Sequence, residues 1–316
     1  MIKPKIAILL STYNGSKYIL EQLSSLNAQI NVDVDIFIRD DGSIDKTTDI
    51  ISKYADAHKN IFLIKCGNVG VTHSFFKLIV LEQVKGYDFY AFCDQDDVWI
   101  KDKLTAMIAA VNNDKPCLVC CSYTVTDDNL NSLRDVLCSK HIELGQLLVD
   151  NSTPGCAMIF NQKLYKLIEK SLHNPMAWNV SIHDMWVLMI AAVFGEVRTT
   201  NKIGILYRQH NNNAIGASTT ILSKIKRSIR GTIRMRSKHS YIDDAIIFNQ
   251  VFKDDDMPIK AIKVLEDAVN SGGDLSSRLK MIFSNNIYKK GMHRNIYFRL
   301  RVLFHFYRIH YNISDL

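Results

Sequence analysis

Three carboxylate side chains fall within four positions of the segment FCDQDDVW, residues 92–99. Asp94, Asp96 and Asp97 follow directly on the apolar run Phe89–Cys93. Like charges at this spacing repel each other, so they either raise one another's pKa values or hold a cation. Carboxylate oxygens are ligands that suit Mg²⁺ or Mn²⁺ better than Zn²⁺. The segment therefore predicts either a divalent-cation site or a solvated acidic turn that caps the following helix.

Three earlier apolar runs also end in polar segments: STYNG (Ser11–Gly15), RDDGSIDKT (Arg39–Thr47) and GNVGVTHS (Gly67–Ser74). Asp40 and Asp41 could accept hydrogen bonds from a base or a ribose, or could simply belong to a strand–helix turn. The two glycines of GNVG would let the backbone approach a ligand closely. The segment is neither a Walker loop nor a G-x-G-x-x-G loop. Taken singly, each of these segments is a weak indicator.

Apolar runs of strand length alternate with helix-period segments over the first 210 residues. The predicted strands are Ile6–Leu10, Asp35–Ile38, Ile61–Ile64, Phe89–Cys93 and Cys117–Ser122. The predicted helices are Tyr18–Leu26, Thr47–Ala57, Thr72–Val84 and Lys101–Val111. This alternation predicts an α/β domain with a mostly parallel sheet and helices on both faces. Because ligands bind beyond the carboxyl ends of such strands, the polar segments should meet at one rim.

The last third of the chain is basic and has a helical period. Residues 217–316 contain 18 Lys and Arg against 9 Asp and Glu, a net charge of +9, whereas residues 1–216 carry −2. Seven of the positive charges lie in Ser223–Lys238, where Leu222, Ile225, Ile229 and Ile233 recur on one helical face. We predict that this helix lies on an anionic membrane surface. The alternative is a helix that packs its isoleucines on the first domain. Nucleic acid is not an expected partner, because the segment contains no recognisable module.

The composition is that of a globular protein, with 47% hydrophobic and 22% charged residues. No apolar stretch approaches the ~18 residues that predict a membrane-spanning helix. The seven cysteines form neither a disulfide framework nor a zinc pattern, so we expect reduced core thiols and a cytoplasmic location.

In this order and spacing, the four rim segments resemble those of the family-2 glycosyltransferases, whose nucleotide-sugar-binding fold is called GT-A. Two later segments, HDMW (His183–Trp186) and LYRQHNNNAIG (Leu206–Gly216), resemble the bacterial rhamnosyltransferase-like branch that builds O-antigen and other surface polysaccharides. One departure is Asn211, where a glycine is common after the histidine. The resemblance covers roughly residues 4–216. It implies a catalytic domain at 1–216, with nucleotide-sugar binding in about 1–123 and the acceptor side in about 124–216. A basic helical region follows at 217–316.

The resemblance also implies roles for individual residues. The nucleotide-binding set is expected to comprise Thr12, Tyr13, Asn14, Asp40 or Asp41, Asn68, Gly70, Asp94, Gln95, Arg208 and His210. Asp94 and Asp96 form the Asp-x-Asp pair that holds Mg²⁺ or Mn²⁺, and Asp97 supports the site or touches the donor sugar. Arg208 and His210 would bring positive donors to the diphosphate. Asp184 would be the base that removes the proton from the acceptor hydroxyl, although its position also suits a plain helix cap.

The implied activity is an inverting, metal-dependent transfer of a sugar by single displacement. The first candidate donor is dTDP-rhamnose, and UDP-galactose, UDP-glucose and UDP-N-acetylhexosamine stay open. A lipid-linked oligosaccharide is the expected acceptor, and the expected location is peripheral, at the cytoplasmic face of the inner membrane. Two other classes compete. A sugar nucleotidylyltransferase would need a Gly-rich first loop, and a non-catalytic membrane scaffold would not need the acidic pair or Asp184.

Overall fold

The structure is a computed structural model that describes residues 3–139, 142–150, 153–210 and 240–307. The predicted basic helix Ser223–Lys238, the end of the Leu206–Gly216 motif and the last nine residues lie outside the described residues. Within the described ranges, no helix is both long enough and apolar enough to cross a membrane.

The described residues contain a mixed sheet of nine strands. These strands are β1 Lys5–Thr12, β2 Asp33–Asp40, β3 Ile61–Lys65, β4 Phe89–Cys93, β5 Val98–Trp99, β6 Cys117–Thr126, β7 Ser132–Val136, β8 Met158–Asn161 and β9 Glu196–Arg208. Their order across the sheet is β3-β2-β1-β4-β8-β6-β9-β5, with β7 paired to β6. The first four strands in this order are parallel, whereas β8 runs antiparallel to both β4 and β6. The predicted strands are thus all present, within a predicted α/β fold that the structure confirms.

Side chains alternate across β1, so one strand serves two layers of core. Ile6, Ile8 and Leu10 are fully buried in one cluster with side chains of the helices that follow β1, β2 and β5. On the opposite face the rings of Phe75 and Phe92 form a T-shaped, edge-to-face contact with centroids 5.1 Å apart. The run of buried residues on both faces explains why this strand is continuously apolar rather than alternating.

Eleven α-helices are present in the described residues. They are α1 Ile19–Asn27, α2 Thr47–Asp56, α3 Val71–Ile79, α4 Lys103–Ile108, α5 Leu144–Val149, α6 Gln162–Ser171, α7 His183–Phe194, α8 Tyr241–Val251, α9 Ile259–Asn270, α10 Leu275–Phe283 and α11 Met292–Leu303. The predicted helix Thr72–Val84 is shorter than expected. It ends at Ile79, Leu81 is extended, and a separate 3-10 turn spans Glu82–Val84. The polar segment Asn270–Ser277, which contains two glycines, includes the break between α9 and α10.

The chain forms two compact units. The first comprises the described residues of Met1–His141, Thr153–Leu172 and Gly195–Ala214, and it contains the whole sheet. The second comprises those of Ile142–Ser152, His173–Phe194 and Ile215–Leu316, and it is helical. The sequence suggested one division near residue 216. In the structure α5 and α7, which come earlier in the chain, pack with the C-terminal helices because their apolar faces are buried there.

Candidate active site

The parallel register brings the ends of three strands to one edge of the sheet in the first unit. Thr12 at the end of β1 lies beside Asp40 at the end of β2, and Leu10 lies beside Cys93 at the end of β4. The polar segments that follow these strands therefore start from the same rim, as the sequence predicted.

Gln95 connects the first rim segment to the acidic turn. Its Oε1 accepts hydrogen bonds from the Thr12 hydroxyl at 2.6 Å and the Tyr13 backbone N–H at 2.9 Å. Its amide Nε2 donates to the Tyr13 carbonyl at 3.1 Å. Asn14 has a positive φ of 50° and accepts the Ile44 N–H on its side-chain oxygen. These bonds fix the backbone of Thr12–Asn14 while the Tyr13 ring stays 46% exposed.

The adjacent carboxylates of Asp40 and Asp41 differ in their partners. Asp41 pairs with Arg39 and accepts the backbone N–H groups of Val69 and Gly70 at 2.9 Å. This carboxylate therefore anchors the GNVG segment to the end of β2. Asp40 accepts two N–H bonds on Oδ2, while its buried Oδ1 has no hydrogen-bond partner among the described residues. Of the two, Asp40 keeps the acceptor capacity that a ribose hydroxyl or a base would use.

Gly42 and Asn68 lie against each other across this part of the rim. Gly42 has a φ of +85°, and a Cβ built there would approach the Asn68 backbone nitrogen to 3.1 Å. Only glycine combines that conformation with that closeness at low cost. The Asn68 and Gly70 positions are exposed at the rim.

Three ligand-type groups converge at the acidic turn. Oxygen atoms of Asp94 and Asp97 and the Cys156 sulfur lie within 4.8 Å of one another. Burial, with the neighbouring charge of Asp96, raises the pKa of Asp94 to about 6. The same two causes raise the pKa of Asp97 well above its usual range. Because both carboxyls are disfavoured as bare anions, a cation between them would relieve the repulsion.

Cys156 is a poor candidate for a metal ligand. Burial raises the pKa of its thiol well above the ordinary value, so the sulfur stays protonated at neutral pH. Thiolate is the metal-binding form of cysteine, and it favours softer ions than Mg²⁺. The residues that fit a hard divalent cation are thus the carboxylates.

The side chain of Asp96 contacts His210. Its Oδ2 lies 2.9 Å from His210 Nε2, and the His210 ring stacks on Tyr18 with centroids 4.8 Å apart. The expectation that Asp96 binds the metal stays a prediction. In this structure that oxygen is shared with the histidine that the sequence assigned to the phosphates.

Arg208 holds the acidic turn from the side. Its backbone N–H donates to Asp97 Oδ1 at 3.1 Å and its Nε to the Asp96 carbonyl at 2.9 Å. The guanidinium also pairs with Glu21 and donates to the Asp128 carbonyl. Arg208 is only 4% exposed, so contact with a diphosphate would require it to exchange one of these partners. Its observed contacts stabilise the turn.

A buried ammonium lies behind the carboxylates. Lys103 is fully buried, donates to the Cys156 carbonyl at 2.6 Å and lies 3.0 Å from the centroid of the Trp99 ring. Burial lowers the pKa of Lys103, and the negative charge of Asp97 acts in the opposite direction. Trp99 is a packing residue, 2% exposed, as the sequence indicated.

Asp184 lies in the second unit, in the first turn of α7, and is 7% exposed. Three residues before it, Ser181 donates its backbone N–H to Asp244 Oδ1 at 2.8 Å and its hydroxyl to Oδ2. Asp244 belongs to α8, and Trp186 of α7 packs on Phe248 of the same helix. The start of the helix that carries Asp184 is therefore anchored on α8.

Sequence patterns gave no signal for several of these contacts. Tyr18, Glu21, Asp128, Cys156 and Asp244 are single side chains in segments that look like ordinary helix or turn sequence. Asp128 accepts from both Lys17 and Tyr18, so it joins the network around His210 only through folding. The position of Asp128 in the polar turn TDDN was the one available hint.

Comparisons with known proteins agree with this geometry. The profile of the family described as "Glycosyl transferase family 2" matches residues 7–173. The dTDP-rhamnosyl transferase RfbG of Shigella flexneri is 30% identical over 267 residues, covering 77% of this chain and 88% of the relative. An uncharacterized glycosyltransferase of Nostoc sp. is 26% identical and covers 77% of this chain and 76% of the relative.

Solved structures show the same fold. The crystal structure of S. aureus TarS 1–349 in complex with UDP aligns with a TM-score of 0.54 and 17% identity, covering 96% of this chain and 89% of TarS. The complex of TarS with UDP-GlcNAc aligns with a TM-score of 0.51 and 18% identity, covering 84% and 80%. The rim segments, the matched profile and the relatives agree with one another. This chain belongs to glycosyl transferase family 2 and is a glycosyltransferase that uses a nucleotide-sugar donor.

Proposed function

We propose that the protein is an inverting, metal-dependent glycosyltransferase that moves rhamnose from dTDP-rhamnose to a growing, lipid-linked bacterial surface glycan. The observation that carries the proposal is that carboxylate oxygens of Asp94 and Asp97 lie close together in the acidic turn after β4. Asp96 belongs to the same turn. The donor assignment rests on the branch resemblance and on the relative named as a dTDP-rhamnosyl transferase. UDP-galactose, UDP-glucose and UDP-N-acetylhexosamine are the alternative donors, and the TarS complexes illustrate UDP-sugar binding on this fold.

We assign the divalent cation to the acidic turn. Asp94 and Asp96 are the family's pair, and Asp97 lies close enough to Asp94 to share the site or to stabilise it. The raised pKa values of Asp94 and Asp97 fit this assignment, since crowded carboxylates bind a cation more readily than they hold unpaired charges. When bound, Mg²⁺ or Mn²⁺ would act as a Lewis acid that neutralises the charge developing on the departing diphosphate.

The nucleotide would be held by the rim of the first unit. Thr12–Asn14 present a fixed backbone and an exposed tyrosine ring, and the buried Oδ1 of Asp40 has no other hydrogen-bond partner among the described residues. Asn68 and Gly70 border the same edge. Gln95 would act mainly by fixing Thr12 and Tyr13, because its amide is already bonded to both.

Asp184 would serve as the general base. It would remove the proton from the acceptor hydroxyl while that oxygen attacks C1 of the donor sugar, as the C1–diphosphate bond breaks on the opposite face. Its position at the first turn of α7 favours the ionised form, whereas its low exposure opposes it.

The acceptor would place the enzyme at the cytoplasmic face of the inner membrane. A lipid-linked glycan cannot leave the bilayer, so the protein would meet it as a peripheral protein. The net charge of +9 on residues 217–316 supports that location, because the cytoplasmic leaflet is anionic.

A donor panel tests the proposal. Purified protein would be given each nucleotide sugar with Mg²⁺ or Mn²⁺ and a membrane extract as the acceptor source, and nucleotide release would be followed. Release from dTDP-rhamnose that requires both the extract and the metal supports it. Release from a UDP-sugar but not from dTDP-rhamnose would show that the donor assignment is wrong. Binding of a nucleotide sugar without release from any sugar of the panel would favour the non-catalytic scaffold.

A further inference from the structure

We propose that the C-terminal helix pair, α10 (Leu275–Phe283) with α11 (Met292–Leu303), forms a surface that docks on an anionic lipid bilayer. From the sequence, membrane contact was predicted for a different segment, Ser223–Lys238. The helix pair deepens the proposed function, since it names the part of the chain that would bring the enzyme to a lipid-linked acceptor.

Each helix carries an apolar stripe that faces solvent. On α11 the side chains at every fourth position, Met292, Ile296 and Leu300, are 71%, 51% and 46% exposed. On α10 Leu275, Leu279 and Phe283 are 54%, 38% and 80% exposed. Residues four apart lie on the same side of a helix, so these are continuous stripes rather than scattered residues.

The core of the second unit does not need these side chains. On α11 the buried residues are Phe298 and Val302, which lie on the opposite side of the helix from the exposed stripe. On α10 Met281 is the buried residue. Exposure of this many large apolar groups costs solubility without a gain in packing, and such patches mark interaction surfaces.

The two helices are held together independently of the stripes. Arg278 of α10 donates to the Leu303 carbonyl at 2.8 Å. Arg299 of α11 donates to the carbonyls of Ile282 and Ser284. Removing exposed side chains should therefore leave the pair folded.

Charge identifies the partner as anionic. Residues 275–307 contain seven Lys and Arg and no Asp or Glu. Successive residues turn by about 100° around an α-helix, so Arg299 borders the stripe of α11 and the exposed Lys280 borders that of α10. An apolar stripe bordered by cations is the pattern of helices that lie in a membrane interface, with the apolar side chains below the headgroups and the cations among them.

The bilayer fits better than a second copy of this chain. A second copy would bring its own cations to the same interface, and neither α10 nor α11 has a carboxylate to pair them. At 9 and 12 residues, the helices also have the length to lie on a membrane but not to span it.

Co-sedimentation of the full chain with vesicles tests the proposal. Vesicles of phosphatidylcholine alone would be compared with an equal mixture of phosphatidylcholine and phosphatidylglycerol, at low and high salt. We expect binding to the anionic vesicles that weakens with salt. The double variant K280Q/K290Q should bind about thirtyfold more weakly, as expected for the loss of two surface cations.

The contribution of the apolar side chains is tested with the triple variant F283S/M292S/F304S, whose positions are 80%, 71% and 66% exposed. It should lose at least about tenfold in vesicle affinity at unchanged circular dichroism. The matched controls are L133S/L137S, with exposed residues at 57% and 66% near β7, and K59Q/K101Q in the first unit. Both controls should bind as the wild type does.

Four outcomes would overturn the proposal. They are wild-type binding by the triple variant, equal loss in the controls, loss only in R227Q/R230Q/R234Q of the other basic segment, and a dimer in solution that the triple variant abolishes without any vesicle binding. Transfer to acceptor dispersed in detergent should be unchanged in the triple variant. A failure of the proposed chemistry would abolish that transfer in the wild type, so the two failures are distinguishable.

Discussion

The acidic turn of the first unit and the C-terminal helix pair of the second unit differ in which side chains they bury and which they expose. At the turn, polar side chains are withdrawn from water and held by protein. Asp97 is 1% and Arg208 is 4% exposed, and the backbone and side chain of Arg208 contact Asp96 and Asp97. On the helix pair, Phe283 and Met292 are more than two-thirds exposed.

The difference agrees with the partners that we propose for the two surfaces. A cation and a diphosphate would need ligand atoms at fixed positions, which carboxylates already held by the protein supply. A bound cation would also relieve the repulsion between those carboxylates. A bilayer is a fluid partner that demands only an apolar stripe and nearby cations. Substitutions at the turn should therefore act on turnover, and those on the helix pair on location.

The largest effect is expected from loss of the metal site. Asp96→Asn, or removal of metal from the wild type with a chelator, should lower transfer at least about a thousandfold, because Lewis-acid stabilisation is worth several kcal/mol. The measurement is nucleotide release with acceptor present, together with a thermal-shift titration with Mn²⁺. Asp127→Asn, in an exposed turn where that carboxylate bonds only to nearby turn residues, is the control. Full activity in protein that elemental analysis shows to be metal-free would contradict the metal assignment.

The next effect concerns the base. Asp184→Asn should lower transfer by at least about a hundredfold, because an amide of nearly the same shape cannot accept the acceptor proton. Donor binding, measured by calorimetry, should change little. An equal loss of donor affinity would place Asp184 in the donor pocket instead.

The buried side chain of His183 should make the stability of the fold depend on pH. Burial lowers the pKa of His183 to about 3, against an ordinary value of 6.5. Between these two values the unfolded chain binds the proton and the folded chain does not, so stability falls as the pH falls from about 6.5 towards 3. From pH 7 to pH 5 the loss from this group is about 2 kcal/mol.

Urea denaturation of the wild type and of His183→Gln at both pH values measures this effect. The variant should lose about 2 kcal/mol less than the wild type over the same interval. Parallel losses in the two proteins would show that His183 can be protonated within the fold.

The smallest effect is expected at the anchor of α7. Asp244→Ala should lower kcat about tenfold with less than about twofold change in donor KM, because the helix start that carries Asp184 loses its fixed position. Asp244→Asn should restore most of the rate, since its amide can still accept the Ser181 N–H. Asp243→Ala, which removes the capping box of the same helix, should lower stability with little change in kcat. Equal effects on kcat from Asp243 and Asp244 would reduce the anchor to a general structural role.

The sequence by itself determined the layout of the first unit. Apolar runs at Ile6–Leu10 and Phe89–Cys93 are long enough for strands buried on both faces, and the polar residues after them could only lie at the carboxyl edge. The residue types of FCDQDDVW were sufficient to predict an acidic site there. The alternation of strands and helices thus located the rim before any contact was known.

The tertiary structure decided which groups meet at that rim. Asp96 lies against His210 across 114 positions of the chain, and Asp41 holds Val69 and Gly70 rather than staying open. It also decided that α7 is anchored on α8, and that α10 and α11 leave apolar stripes in solvent. Local patterns fix the period of a helix or a strand, because that depends on neighbouring residues. The pairing of side chains from distant segments depends on how the elements pack, which no single segment encodes.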